Sequence, residues 1–271
     1  MPPPKLFNSS CNPTKGAQSS PGSAFSRFDR NGHRIERLQV FSLTAYEIEA
    51  IQLSLQVAGL ALLGCLPLGL VAAWVLARCD FFGKSLLNGI VHLPLVVPPV
   101  VIGYLLLVSF GKQGLLGHWL WESFGISLAF NWKGAAVAAA VMAFPLMVRS
   151  IRLSLEAVDG GLEQAARTLG ASPAWVFVTV TLPLILPGIL TGTILAFARS
   201  LGEFGATITF VANIPGETQT LPLALFSLTQ APDGDAGAAR LVVISVGIAL
   251  AALIASEALA RRINRQLGNH V

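Results

Sequence analysis

In the run Ala198-Arg-Ser-Leu-Gly-Glu-Phe-Gly-Ala206, Arg199 and Glu203 stand four residues apart in otherwise uncharged surroundings. At that spacing they share one face of a helix. A cation and a carboxylate so placed have two uses. They can neutralise each other as a structural ion pair, or Arg199 can offset the charge of an anion passing through the molecule. Ionisable groups at depth in an apolar bundle are expensive and face its interior or an aqueous cavity, so either use puts the pair inside. No ring of basic residues accompanies Arg199. A tight anion site within this chain is therefore not expected.

The other reactive residues point to no enzyme. Gly83-Lys84-Ser85 ends like a phosphate-binding loop, but the position five before Gly83 is Arg78 where that loop needs glycine, so the chain should bind no ATP itself. His92 has no second ligand at metal spacing and reads as a packed or pore-facing neutral imidazole. Cys11, Cys65 and Cys79 form no disulfide framework. No nucleophile–base pair or metal cluster is legible, and no cofactor is implied.

What must position Arg199 and Glu203 is a set of membrane spans. The chain of 271 residues is 54% hydrophobic and only 12% charged. Ile51 to Leu76, Ser85 to Phe110 and Val176 to Ala198 contain no Asp, Glu, Lys or Arg. Each exceeds the about 20 apolar residues that cross a bilayer as a helix. Two weaker spans join them, Gly125 to Val148 with Lys133 and Arg240 to Ala260 with Glu257. The expected fold is all-α transmembrane with about five spans. Pro94, Pro98 and Pro99 remove backbone donors from the second span and must bend it, as a static kink or as a gate. Phe204 to Ala231 reads as a loop with short or re-entrant helices around Pro215 and Pro222.

Charge placement gives an orientation. Arg78, Lys84, Arg149, Arg152, Arg167, Arg261, Arg262 and Arg265 follow spans one, three and five, whereas the loops on the other side carry Lys112 and Lys133. Against this, the N-terminal tail placed on that side carries Lys5, Lys15, Arg27, Arg30, Arg34 and Arg37. The positive-inside rule puts the basic loops and the C-terminus in the cytoplasm, and the N-terminus outside. Trp119, Trp121 and Trp132 fall at the outer boundary, Trp74 and Trp175 at the inner one. Residues 1–44 are rich in Pro, Ser, Gly and Asn and read as a disordered polar tail, leaving 45–265 as the transmembrane domain.

Between spans three and four lies "LEQAARTLGASPAWVFVTVTLPLILPG", Leu162 to Gly188. Leu162, Ala165, Ala166 and Leu169 share a helical face. Glu163, Gln164, Arg167 and Thr168 cover the other, with Glu163 and Arg167 at ion-pair spacing. Gly170 stops this helix, and Ser172-Pro173 starts the next as N-cap and first helical residue. Two leucines and two alanines are little for membrane anchoring. The low-relief surface suits docking to a soluble partner.

This stretch resembles the cytoplasmic loop of ABC importer permeases, matched here by Gln164, Ala165, Ala166, Gly170, Val180, Leu182 and Pro183. Gln164 replaces the usual Glu and Val180 the usual Ile. The runs FFGKSLLNGIVHLPLVVPPVVIGYLLL, AFPLMVRSIR and ARSLGEFGATITFVANIPGETQTLPLALF resemble molybdate-importer permeases, with sulfate permeases as nearest relatives, so that the likeness covers Ala45 to Arg262. It implies an ABC importer permease fold with a cytoplasmic coupling helix in a loop at about 156–175. Leu162, Glu163, Gln164, Ala165, Ala166, Leu169 and Gly170 would engage an ATPase subunit. Arg199, Glu203, Pro98 and Pro99 would lie near the translocation path. The implied setting is a bacterial inner membrane and its lipid. The implied assembly is a homodimer with cytoplasmic ABC ATPase subunits and a periplasmic or extracellular oxyanion-binding protein, with no nucleic acid. ATP hydrolysis would belong to the separate subunit. Molybdate is the expected cargo, with sulfate, thiosulfate or tungstate as alternatives. An ion-coupled secondary transporter is the rival class, but it would show internal repeats, and none is visible.

Overall fold

A computed structural model of the chain describes residues 43–268, which are helical with connecting turns. The expected polar tail lies outside the described residues except for its last two positions. In chain order the elements are α1 (Ala45–Arg78), α2 (Lys84–Val96), α3 (Pro99–Phe110), α4 (Leu115–Phe124), α5 (Trp132–Glu156), α6 (Gly160–Thr168), α7 (Pro173–Val176), a π-helical turn (Phe177–Thr181), α8 (Leu182–Leu201), α9 (Gly205–Val211), α10 (Leu221–Gln230) and α11 (Asp235–Gly268). Among the described residues, four stretches are long and apolar enough to cross a membrane: Ala45–Arg78, Trp132–Glu156, Pro173–Leu201 and Asp235–Ala255. The pair α2 and α3, bent by 114°, makes a fifth when taken as one broken span.

Three expectations are corrected in detail. The second apolar run is not one helix: α2 ends at Val96, Val97 is extended, and Pro99 opens α3 in a new direction. Pro98 and Pro99 donate no backbone hydrogen bonds, so the ladder breaks there, whereas Pro94 is accommodated within α2. The third span starts at Trp132 rather than Gly125. Gly125, at φ +65°, ends α4, and the Asn131 side chain accepts from Lys133 N at 3.0 Å to cap α5. Thr44, assigned to the tail, is the N-cap of α1. Its hydroxyl accepts from Glu47 N at 3.3 Å, while Glu47 accepts from Thr44 N at 2.8 Å.

The centre of the bundle is α5. Ala135, Ala138, Ala139 and Ala143 are fully buried, and these small side chains let α1, α8 and α9 approach closely. The tightest crossing is α5 on α8. Ser150 Oγ donates to the Gly188 carbonyl at 3.0 Å. A Cβ at Gly188 would fall 2.4 Å from Ser154 Cβ, and one at Gly192 would fall 3.2 Å from the Met147 carbonyl oxygen. At the other end of the bundle Arg240 Nε donates to Glu47 Oε1 at 2.9 Å and joins α11 to α1. That carboxylate is nearly fully buried, so the link fixes two helix starts at once.

Gly188→Ala should therefore strain the α5–α8 crossing by about 1–3 kcal/mol, as overpacking does. The expected result is a lower thermal midpoint in detergent, partly restored by adding Ser154→Gly. A thermal-shift measurement on the single and double variants checks this.

Candidate functional site

Two sites are built on this frame, one at each end of α8. At the basic end α5 ends at Glu156, and Asp159 starts α6 by accepting from Gly161 N at 2.8 Å. Helix α6 closes with Gly170 at φ +89°, a left-handed conformation that glycine adopts without strain. There Gly170 N reaches Arg167 O at 2.9 Å and Ala171 N reaches Ala166 O at 3.2 Å. Ser172 then caps α7 by accepting from Trp175 N at 3.3 Å, with Pro173 as its first residue. The helix–glycine–serine–proline–helix order is as the sequence predicts.

The facing of α6 is not. Glu163 does not share a solvent face with Arg167. It is the buried residue of α6, and its Oε1 accepts from Arg78 Nη2 at 2.9 Å and from Thr181 Oγ1 at 2.7 Å. A carboxylate here is desolvated on the inner face, and Arg78 at the end of α1 offers a nearer partner than Arg167, which stays exposed. Leu162, Gln164, Ala165 and Leu169 are left on the outside, and Ala166 is half-buried. Leu169 and Trp175 are 88% and 63% exposed, on a chain segment that has apolar neighbours available. They flank an open depression lined also by Ala166, Gly170, Ser172 and Thr179. Exposed apolar groups around a shallow hollow suit a partner surface.

At the opposite end of α8, Arg199 Nη1 reaches Glu203 Oε2 at 2.5 Å. This contact is ionic rather than a well-directed hydrogen bond, and Oε2 has no other partner among the described residues. Glu203 Oε1 accepts from Ala206 N at 2.8 Å, so the same side chain caps the start of α9. Its side chain is 1% exposed, that of Arg199 27%. Pro99 reaches the same junction. A Cβ at Gly205 would fall 2.7 Å from Pro99 Cβ, and one at Gly103 would fall 2.5 Å from the Ala206 carbonyl oxygen. The broken span and the α8–α9 junction thus touch through glycines, which puts Pro99 against Gly205, two residues past Glu203.

Residues 66–265 match the family described as binding-protein-dependent transport system inner membrane component. The chain belongs to that family. It is 63% identical over 219 residues to the molybdenum transport system permease protein of Escherichia coli (strain K12), covering 81% of this chain and 96% of that protein. It is 37% identical over 202 residues to the sulfate transport system permease protein of the same strain, covering 74% and 72%. Its fold is similar to a bacterial ABC transporter involved in the import of the acidic polysaccharide alginate, at a TM-score of 0.67, 18% identity and 84% coverage of each chain. As an inner-membrane component it is a transport subunit with several membrane-spanning helices.

The remaining candidates keep ordinary roles. Lys84 Nζ donates to Asp80 Oδ1 at 2.9 Å, and that contact holds the exposed Asp80 carboxyl below its usual range. His92 Nδ1 lies 2.9 Å from the Asn88 carbonyl of its own helix. Sequence reasoning missed Arg78, Thr181 and Gly205. Arg78 stood out only as an orientation marker, Thr181 sits inside an apolar run, and Gly205 acquires its role from Pro99 across the fold.

The Arg199–Glu203 geometry favours mutual neutralisation, and removing one member leaves a desolvated charge costing about 3–5 kcal/mol when burial is complete. Arg199→Gln and Glu203→Gln should each lower membrane abundance, and the double replacement should recover both abundance and uptake. Quantitative immunoblots with uptake assays check this. An abundant, transport-dead Arg199→Gln that the second change leaves dead would instead place Arg199 on the anion's path.

Proposed function

We propose that this chain is the membrane-spanning subunit of an ATP-driven importer that carries molybdate into a bacterial cell. The observation that carries the reading is the 63% identity to a molybdenum transport permease over nearly that protein's whole length, against 37% to a sulfate permease. The chemistry is compatible. Few fixed charges line the interior, so a dianion delivered by a binding protein would meet Arg199 already paired and would not be trapped.

In this reading two copies of the chain form the pore and two ATPase subunits dock on the basic end. Helix α6 and Trp175 present the coupling surface: Leu162, Gln164, Ala165 and Leu169 face outward, and Glu163 holds the helix from within. The concentration of Arg and Lys there supports a cytoplasmic basic end and C-terminus, with the start of α1 outside. ATP-driven closure of the ATPase pair would move α6 and the helices it is tied to. The bent α2–α3 pair and the Arg199–Glu203 junction would then swap the open side, a rigid-body switch. Sulfate and tungstate share the tetrahedral dianion chemistry and are the cargoes to test against.

Vesicles containing this chain and its ATPase, supplied with its binding protein, should accumulate labelled molybdate with ATP, and excess sulfate should compete poorly. Sulfate uptake at an equal rate would reassign the cargo. Ala166→Asp adds a charge to the half-buried small position of the coupling surface. It should abolish uptake at normal membrane abundance while ATP hydrolysis persists, and normal uptake would remove α6 from the docking surface. Gly170→Val should do the same, with left-handed strain of about 1–2 kcal/mol.

A further inference from the structure

Helix α6 has little to hold it. It is nine residues long, and Glu163 is its buried residue. That one carboxylate oxygen takes two donors from two different elements, Arg78 at the end of α1 and Thr181 at the end of the π-helical turn. The contacts continue past it. The Arg78 guanidinium lies 6.0 Å from the Trp74 ring centre, and Trp74 meets Phe177 edge-on at 5.0 Å. Phe177 and Thr181 are the first and last residues of the π turn, and Leu182 N bonds back to Phe177 O across it. The chain Arg78–Glu163–Thr181–Phe177–Trp74–Arg78 is therefore closed. It binds α1, α6 and the start of α8 into one ring, and its one ion pair is Arg78 to Glu163.

We propose that Arg78, acting through the buried Glu163 carboxylate, is the positioning residue that makes α6 move as one body with α1 and α8. This rests on the reading of α6 as the ATPase-docking helix. Without the ion pair, α6 is joined to the bundle by its termini, at Asp159 and at the left-handed Gly170, and by the single neutral donor Thr181. A push on its outer face would then pivot the helix rather than carry the spans. A charged hydrogen bond is stiff in both distance and direction, which an apolar contact of the same area is not. The π turn fits this role, since such insertions within helices mark places where a helix is adapted to function. Its effect here is to bring Thr181 onto the same oxygen as Arg78.

The test uses the full complex in vesicles with its binding protein, and the readout is labelled molybdate imported per ATP hydrolysed. Arg78→Gln should lower that ratio by about tenfold, the factor equivalent to losing one charged hydrogen bond. The maximal uptake rate should fall while the molybdate concentration for half-maximal uptake stays unchanged. The exchanged pair, Arg78→Glu with Glu163→Arg, should raise the ratio again. A wild-type ratio in Arg78→Gln would overturn the proposal, as would uptake that falls only in proportion to membrane abundance. So would an exchanged pair that assembles and remains uncoupled. If Arg78→Gln does not assemble, Thr181→Val decides. It removes one donor at nearly constant volume, so a lowered ratio at normal abundance supports the ring and an unchanged ratio overturns it. Ala166→Asp separates this proposal from the docking reading. Uncoupling by Ala166→Asp with a wild-type ratio in Arg78→Gln leaves docking in place and sinks only the positioning role.

Discussion

A chain placed in hydrocarbon must satisfy its polar groups from within, since no water is there to accept them. That constraint runs through every junction described. The backbone answers it with helices, and the charged side chains answer it by meeting in pairs where elements join. Glu47 with Arg240 fixes the starts of α1 and α11, Glu163 with Arg78 fixes α6 to the end of α1, and Glu203 with Arg199 fixes α8 to α9. In each case the carboxylate is the more buried partner and also accepts a second bond, from Thr44 N, Thr181 Oγ1 or Ala206 N. An acid so placed does double service. It neutralises a cation, and it ends a backbone or hydroxyl donor that the surroundings could not accept.

Between those junctions the bundle depends on small residues. Apolar side chains in a membrane gain little by leaving lipid, so helices associate through close packing and a few polar contacts. Alanines on α5 and glycines on α8 supply that closeness, and Ser150 adds its hydroxyl at the crossing. The same device recurs where α3 meets α9 through Gly103 and Gly205. This second contact joins the bent span to the α8–α9 junction.

Much of this was legible in the sequence because lipid imposes long, uncharged periods that nothing else requires. The spans, the turn at Gly170 and the cap at Ser172 follow from local rules. So does the closeness of Arg199 to Glu203, although α8 ends at Leu201 and leaves Glu203 just past the helix that the spacing put it on. The misreadings come from contacts that no local rule contains. Helical spacing pairs Glu163 with Arg167 as well as geometry allows, but Arg78 arrives from 85 residues away and takes the carboxylate inward. Hydropathy cannot separate Gly125–Asn131 from the helix that follows it, because an apolar loop and an apolar helix have the same composition. Three prolines announce a bend in the second span, yet no local rule gives its size, 114°, or the packing of α3 on α9 that goes with it.

The two ends of α8 differ in how much motion their ion pairs permit, and this difference bears on mechanism. Arg199 lies in the last turn of α8 and Glu203 two residues past its end, where it caps α9, so their contact survives a movement that carries α8 and the start of α9 together. Arg78 and Glu163 sit on separate elements, and their contact survives only if those elements move together. The first pair, held within one short junction, can therefore travel with α8 and the start of α9 without being broken. The second reports whether α6 and α1 have kept their register, and breaking it would leave a largely buried carboxylate with one neutral donor. Because that desolvated state is costly, the pair resists independent motion of α6. A surface helix held in this way is a lever rather than a flap: force applied to Leu162 and Leu169 from outside has its shortest stiff path through Glu163 into two of the membrane-spanning helices.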